Sequence, residues 1–125
     1  SLIDSIVVVF NERHDVTIDK RIVDFPLSPK KAVPVGIILN ELLTNVFKYA
    51  FTGRDGGHVS IELDKTKTQV TLTVTDDGVG LDKKANGSNS LGFGLTLVNM
   101  LAAQLEGTFS ITSDNGTKSV VQFET

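Results

Sequence analysis

The stretch Asn40–Ala50, NELLTNVFKYA, decides the fold because it predicts a long amphipathic helix. Leucine, glutamate, lysine and alanine favour helix, and no glycine or proline interrupts the stretch. At about 100° per residue, one face of this helix is a continuous apolar stripe. The stripe consists of Leu39, Leu42, Leu43, Val46 and Ala50. Such a face is suited to packing on a β-sheet.

Three polar side chains stand beside that stripe. Glu41, Asn45 and Lys48 lie at i, i+4 and i+7, within a narrow arc of the helix. Carboxylate and amide oxygens are hard ligands for Mg²⁺, and a lysine places positive charge near phosphate. The trio therefore suits a metal–phosphate group, although alone it is more typical of an ordinary half-exposed helix with an i, i+7 charge pair.

Composition excludes several classes of protein. The 125 residues suffice for one domain with a real core, and the net charge of −3 argues against a general nucleic-acid binder. Without cysteine there is no disulfide framework and no Cys-ligated zinc, and His14 and His58 are too few for a histidine metal site. No apolar run approaches the about twenty residues that span a membrane, and no signal peptide is visible. The absence of an initial Met suggests a fragment of a longer chain.

The remaining sequence predicts helices and strands in a definite order. Residues 2–13 fit strand or helix, and the spacing of their apolar residues favours helix. A strand is predicted over Val16–Phe25, and the main helix from near Lys31 to about Phe51, because Pro34 is tolerated only in a first turn. Two strands, a helix closed by Gly107, and two more strands follow over residues 59–63, 70–75, 95–105, 108–112 and 119–124. This order predicts an α+β fold, a two-layer sandwich with helices on one face of a mixed, mainly antiparallel sheet.

Two glycine motifs follow the main helix. DDGVGL, residues 76–81, ends a strand, where Asp76 could accept a hydrogen bond from an adenine amine and the glycines admit a ligand close to the backbone. SLGFGLTL, residues 90–97, opens a helix, and glycine-rich turns before a helix bind phosphate through free N–H groups. Taken singly, the first could be a plain turn and the second a flexible hinge.

Together, an Asn box, D-x-G-x-G after a strand and G-x-G-L opening a helix resemble the ATP-binding catalytic domain of sensor histidine kinases. Gyrase-type, chaperone and mismatch-repair ATPases share that superfamily. The segment LNELLTNVFKYAF is similar to the subfamily with Glu at the first key position of the box. The resemblance covers residues 15–125 and implies a Bergerat-type sandwich. Residues 1–14 would then be a lead-in helix from an upstream acceptor domain.

The resemblance also implies a role for each key residue. Asn45 would bind Mg²⁺ with Glu41 beside the metal or its water, Lys48 would contact the phosphates, and Asp76 would accept the adenine amine. The rest of the ATP site would be formed by residues that shape the adenine pocket or bring backbone amides to phosphate: Tyr49, Gly78, Gly80, Gly92, Gly94, Leu95 and Thr117. Residues 82–91 would form the lid.

Departures from the family pattern concentrate around that lid. Ser90 stands where the first glycine of the second motif is usual, and Phe93 replaces a common leucine. The Phe-containing box between the two glycine motifs is missing, so the lid is short. These differences bear on lid contacts and on docking to the phosphoacceptor.

The function implied is binding of Mg-ATP and donation of its γ-phosphoryl group to a histidine on a separate helical domain, as in two-component systems. Two alternatives are an ATP-hydrolysing switch, in which Glu41 activates water, and an anti-sigma-type serine kinase. The expected partners are the phosphoacceptor domain of the same parent protein and, indirectly, a response regulator. No nucleic-acid or membrane contact, a monomeric domain and a cytoplasmic location are expected.

Overall fold

The structure, a computed structural model, describes residues 5–6, 16–23, 25–47, 57–78, 92–113 and 116–125. Within these ranges the chain forms, in order, β1 (Val16–Ile22), α1 (Pro29–Asn45), β2 (Gly57–Thr66), β3 (Gln69–Asp76), α2 (Gly92–Gln104), β4 (Thr108–Ser113) and β5 (Thr117–Glu124). The strands form one sheet in the order β1-β2-β3-β5-β4. Only the β1–β2 pair is parallel. The predicted α+β sandwich is confirmed.

The core lies between the helices and one face of the sheet. In β3, QVTLTVTD, the alternate residues Val70, Leu72 and Val74 are buried, and threonines stand between them on the other face. The helical side is supplied by the stripe predicted around Leu39 and Leu43, both fully buried. Burying each such side chain stabilises the fold by about 1.5–3 kcal/mol, so the sandwich is held chiefly by this layer contact.

The strand register defines two ends of the sheet. The Asp76 end contains the starts of β1, β2 and β5 and the last residues of β3 and β4. The opposite end, called the hairpin end, contains the tight turn at Lys67 and Thr68 that joins β2 to β3. Connections between elements therefore reach the Asp76 end from several distant parts of the sequence.

Both helices connect these two ends. α1 follows β1 and precedes the parallel strand β2, so it starts at the hairpin end and returns to the Asp76 end. A hydrogen bond of 2.6 Å from Lys31 Nζ to the Glu124 carbonyl fixes its first turn at the hairpin end. α2 leads through a short link into β4 at the hairpin end, so its N-terminus lies at the Asp76 end. The end of α1 and the start of α2 thus meet the end of β3.

The boundaries of α1 differ from the prediction. The helix starts at Pro29, with Ser28 as N-cap, so the predicted start near Lys31 is wrong and Pro34 lies inside the helix. Proline at the first helical position has a preset φ and no N–H to satisfy, which favours the earlier start. After Asn45 the chain enters a π-type turn over Val46 and Phe47, and residues 48–51 lie outside the described residues.

The other boundaries shift by a few residues. β1 ends at Ile22 rather than Phe25, and both strands of the β2–β3 hairpin are longer than predicted, because Lys67 adopts φ 56° and permits a two-residue turn. The predicted helix over residues 2–13 is described only at Ser5 and Ile6, both helical. Ile6 packs against the core.

Gly107, at the end of α2, is required by the close approach of β5 and not by a left-handed φ. Glu106, at φ 56°, is the left-handed residue, and its N–H donates to the Ala103 carbonyl. Gly107 donates to the Ala102 carbonyl, which completes a Schellman-type end. A Cβ on Gly107 would lie 2.1 Å from the Gln122 carbonyl oxygen, so β5 excludes any side chain there.

Candidate functional site

Asp76 is the buried carboxylate of the Asp76 end. It is only 5% exposed, and it continues the inward-facing row of β3 beyond Val74. Its Oδ1 accepts a hydrogen bond of 2.9 Å from the Gly78 N–H, and this bond is buried. A buried carboxylate costs free energy unless it is hydrogen-bonded. The glycine motif after β3 therefore holds a negatively charged acceptor in one orientation under the helices.

The chain just before β5 packs closely against the backbone of Asp76. Thr117 is the register partner of Asp76. Gly116 has φ +129°, and a Cβ there would lie only 2.0 Å from the Asp76 carbonyl oxygen. Only glycine fits this approach. Asp76 and the Gly116–Thr117 segment, far apart in the chain, thus lie side by side.

Asn45 brings an unsatisfied polar group to the same end. Its Nδ2 is buried and has no hydrogen-bond partner among the residues that the structure describes. An unpaired buried donor costs about 1–3 kcal/mol, so it indicates a missing acceptor such as a ligand oxygen. Glu41, one turn earlier on α1, is half-buried on the same side of the helix. The π-type turn that follows Asn45 is a feature often found at functional sites.

Gly92 and Gly94 form the first turn of α2, which begins three residues before the predicted Leu95. The first N–H groups of a helix have no partner within it and attract anions. Leu95 is half-buried, and its carbonyl accepts a hydrogen bond of 3.1 Å from Asn99 Nδ2. The second glycine motif therefore supplies a helix N-terminus, as predicted. The predicted residues Lys48, Tyr49 and Gly80 and the lid, 82–91, lie outside the described residues.

Asp77 and His58 form a side-chain contact at this end that no sequence motif predicts. Asp77 Oδ1 accepts a 2.8 Å hydrogen bond from the His58 N–H, and Oδ2 lies 3.3 Å from His58 Nδ1. The doubled aspartate of DDGVGL was the only available signal, because its partner lies in another strand. Both residues also line a cleft of about 480 Å³.

That cleft opens largely on the sheet face away from the helices. Its floor is a cross-strand row of polar residues, which consists of Asp19, Ser60, Thr75, Lys118 and Thr112. Asp76 and Thr117 stand at its margin. The buried Asp76 carboxylate, by contrast, belongs to the helix-facing row. The candidate ligand site is therefore on the helical side of the Asp76 end, and the cleft lies behind it.

Comparison with protein families gives a match over residues 30–125 to the family of histidine kinase-, DNA gyrase B- and HSP90-like ATPases. The match includes α1, the sheet strands β2 to β5 and α2. The chain belongs to this family. The prediction drawn from the Asn box and the two glycine motifs is thereby confirmed.

Individual relatives are sensor kinases. Blue-light-activated histidine kinase 2 of Erythrobacter litoralis is 28% identical over 110 residues, which cover 87% of this chain and 31% of that protein. A solved blue-light-activated histidine kinase of the same organism superposes with a TM-score of 0.88 at 22% identity, over 98% of this chain and 40% of the other. The catalytic domain of histidine kinase ThkA gives a TM-score of 0.77 at 16% identity, over 98% and 90%. These structural likenesses establish the fold.

Two features are absent from the described part of the chain. Among the described residues, no helix combines the length and apolarity needed to cross a membrane. Nor does any group of three or more His, Asp or Glu side chains in those ranges form a metal site by itself.

Proposed function

We propose that this domain binds ATP on the helical side of the Asp76 end. The observation that carries the proposal is the buried carboxylate of Asp76, which Gly78 orients and which β5 approaches through Gly116. A carboxylate accepts from the exocyclic amine of adenine, whereas guanine presents a carbonyl at that position. Selectivity for adenine nucleotides follows from this difference. Membership of an ATPase family supports the same ligand.

The phosphates would lie between α1 and the start of α2. Gly92 and Gly94 would offer backbone N–H groups, and Lys48 would add positive charge. The orphaned Asn45 Nδ2 would donate to a phosphate oxygen. Thr117, the register partner of Asp76, would support the adenine site, together with Tyr49, Gly80 and Leu95.

The residues also fit Mg²⁺. Asn45 and Glu41 offer the amide and carboxylate oxygens that this ion prefers, and it commonly takes its remaining ligands from phosphate and water. Asn45 and Glu41 would hold the ion, which would neutralise charge on the phosphates.

The reaction proposed is transfer of the γ-phosphoryl group to a histidine on a separate helical domain of the parent protein. The relatives named above are histidine kinases, and this chain spans 31% of the length of the first. Glu41 would act as general base toward the incoming imidazole. His58, on β2, is bonded to Asp77, which argues against His58 as the acceptor of the phosphoryl group. A response regulator would receive the phosphoryl group afterwards, in the cytoplasm.

Calorimetric titration tests the ligand. ATP, ADP and GTP are titrated into the domain with and without Mg²⁺. We expect binding of both adenine nucleotides, tighter ATP binding with Mg²⁺, and little binding of GTP. Equal affinity for ATP and GTP would refute the role of Asp76.

Phosphotransfer is tested by adding the helical domain of the parent protein in trans with labelled ATP. We expect an acid-labile phosphohistidine on that domain and no stable self-phosphorylation of this one. Glu41→Gln should slow transfer and spare ATP binding. Rapid multiple-turnover hydrolysis without transfer would favour an ATP-hydrolysing switch, and an acid-stable phosphoserine on a protein partner would favour an anti-sigma-type kinase.

A further inference from the structure

The His58–Asp77 pair stands where the β2–β3 ladder ends. The last paired residues are Val59 and Asp76, and continuing the same register places His58 opposite Asp77. One bond of a regular antiparallel pair is present there, because the Asp77 N–H donates to the His58 carbonyl at 3.2 Å. The bond in the other direction is different.

In a regular pair the His58 N–H would donate to the backbone carbonyl of residue 77. Here it donates to the Asp77 side chain, at 2.8 Å from Oδ1, and the second carboxylate oxygen lies 3.3 Å from the His58 ring. The carboxylate thus takes the place of the backbone carbonyl. The strand is held to its neighbour through residue 77, while the backbone is released to turn away immediately after it.

This substitution acts on the residues of the candidate site. Asp77 lies between Asp76 and Gly78, and the Gly78 N–H makes the buried bond to Asp76 Oδ1. The position of Gly78 depends on the direction in which the chain leaves residue 77. A hydrogen bond from an N–H to a carboxylate is stronger than one between neutral groups, so the side chain fixes this direction better than a neutral turn residue would.

We propose that Asp77, bonded to His58, is a positioning residue for the adenine site. It touches no nucleotide in this proposal and acts through Gly78 on the orientation of the Asp76 carboxylate. The inference rests on the nucleotide site proposed above. It assigns the second aspartate of DDGVGL a role distinct from that of the first.

The test compares four variants of the full 125-residue chain. Asp77→Ala removes the acceptor, Asp77→Asn keeps an oxygen for the His58 N–H, and His58→Ala removes only the ring contact. Asp64→Ala is the matched control, because Asp64, an exposed carboxylate near the far end of β2, also accepts a backbone N–H, from Lys65 at 2.8 Å. ADP affinity is measured by calorimetry, and amide exchange at His58 and Gly78 by NMR.

For Asp77→Ala we expect ADP affinity to fall about tenfold, the scale of one hydrogen bond to a charged group, with faster exchange at both amides. Asp77→Asn should restore most of the affinity and the protection, and His58→Ala should cost only about two- to threefold because the backbone bonds remain. Asp64→Ala should match the wild type. Rescue by asparagine separates positioning from a general loss of stability, which thermal unfolding of each variant monitors.

Two failures are distinguishable. In the first, the wild type binds ADP and Asp76→Asn weakens binding, so the nucleotide site stands. The positioning role is then wrong if Asp77→Ala binds ADP as tightly as the Asp64→Ala control, or if Asp77→Asn binds as weakly as Asp77→Ala. If the wild type does not bind ADP, or Asp76→Asn binds as tightly as wild type, the proposed site is itself wrong and this inference falls with it.

Discussion

The two ends of the sheet consist of the same strands but satisfy their polar groups differently. At the hairpin end, Thr68 Oγ1 donates to Glu124 Oε2 at 2.6 Å, the Thr125 N–H donates to the Thr68 carbonyl at 2.8 Å, and Lys31 reaches the Glu124 carbonyl. These side-chain contacts are exposed. At the Asp76 end, a carboxylate is buried and the buried Asn45 amide lacks a partner.

This difference separates structural from functional design within one sheet. The hairpin end satisfies its groups by contacts inside the chain, which add little stability each because they compete with water. At the Asp76 end, the buried Asn45 Nδ2 has no partner among the described residues, which is a desolvation cost. Proteins retain such costs chiefly where a ligand will complete the hydrogen bonds.

The largest effect is expected from Gly116→Ala. The new Cβ would lie 2.0 Å from the Asp76 carbonyl oxygen at φ +129°, so strain and overlap should lower the free energy of unfolding by about 2–4 kcal/mol. Gly107→Ala is the control at the hairpin end, with its Cβ 2.1 Å from the Gln122 carbonyl oxygen. Thermal unfolding should show a comparable loss for both. ADP titration of the folded protein should show weakened binding only for Gly116→Ala, and equal affinity in the two variants would contradict the division of the sheet.

The second-largest effect is expected from Asp76→Asn. Losing the charge should weaken ADP binding by about 1–3 kcal/mol, whereas asparagine keeps an oxygen for the Gly78 N–H and the fold should remain. Calorimetry measures the binding and circular dichroism the fold. Asp64→Asn, which removes the same charge from the exposed side of β2, should leave affinity unchanged. A loss of affinity in both variants would indicate a general charge effect.

Asn45→Ala should abolish most of the Mg²⁺ dependence of ATP binding with little change in stability. Truncation removes a buried donor without a partner, so the free energy of unfolding without nucleotide should stay within about 1 kcal/mol of wild type. Asn40→Ala, at an exposed asparagine of the same helix, is the control and should change neither property. If the melting temperature of Asn45→Ala collapses, Asn45 is a structural residue.

The smallest effect is expected from Lys31→Met at the hairpin end. Loss of the exposed bond to the Glu124 carbonyl should lower stability by about 0.5 kcal/mol and leave ADP affinity unchanged. Lys30→Met removes the same charge from the neighbouring exposed residue and controls for it. Urea unfolding resolves such a difference. Weaker ADP binding in Lys31→Met but not in Lys30→Met would show that the two ends are coupled.

The sequence predicted well what local periodicity determines. The apolar stripe around Leu39 and Leu43 and the alternation through Val70, Leu72 and Val74 follow from helical and strand geometry, and both are buried as expected. The glycine motifs predicted the end of β3 and the start of α2. Element order and sheet type followed from these.

Features set by distant partners could not be predicted from the sequence. Residue 107 must be glycine because the Gln122 carbonyl, in β5, leaves no room for a Cβ there. Asp77 replaces a ladder carbonyl because His58 lies opposite it in another strand. Both depend on register between elements, which a local pattern does not contain.

The order β1-β2-β3-β5-β4 also bears on how the domain folds. The sheet consists of two hairpins, β2–β3 and β4–β5, that meet along the β3–β5 pairing, where Asp76 faces Thr117, and of β1, which is added to the edge of β2. Hairpins form in microseconds, whereas pairing of β3 with β5 requires closure of the long loop through residues 77–116. The proposed adenine pocket straddles this seam, so it exists only after the slower, nonlocal step. Nucleotide would then stabilise the joined sheet alone, and its binding would measure completed folding.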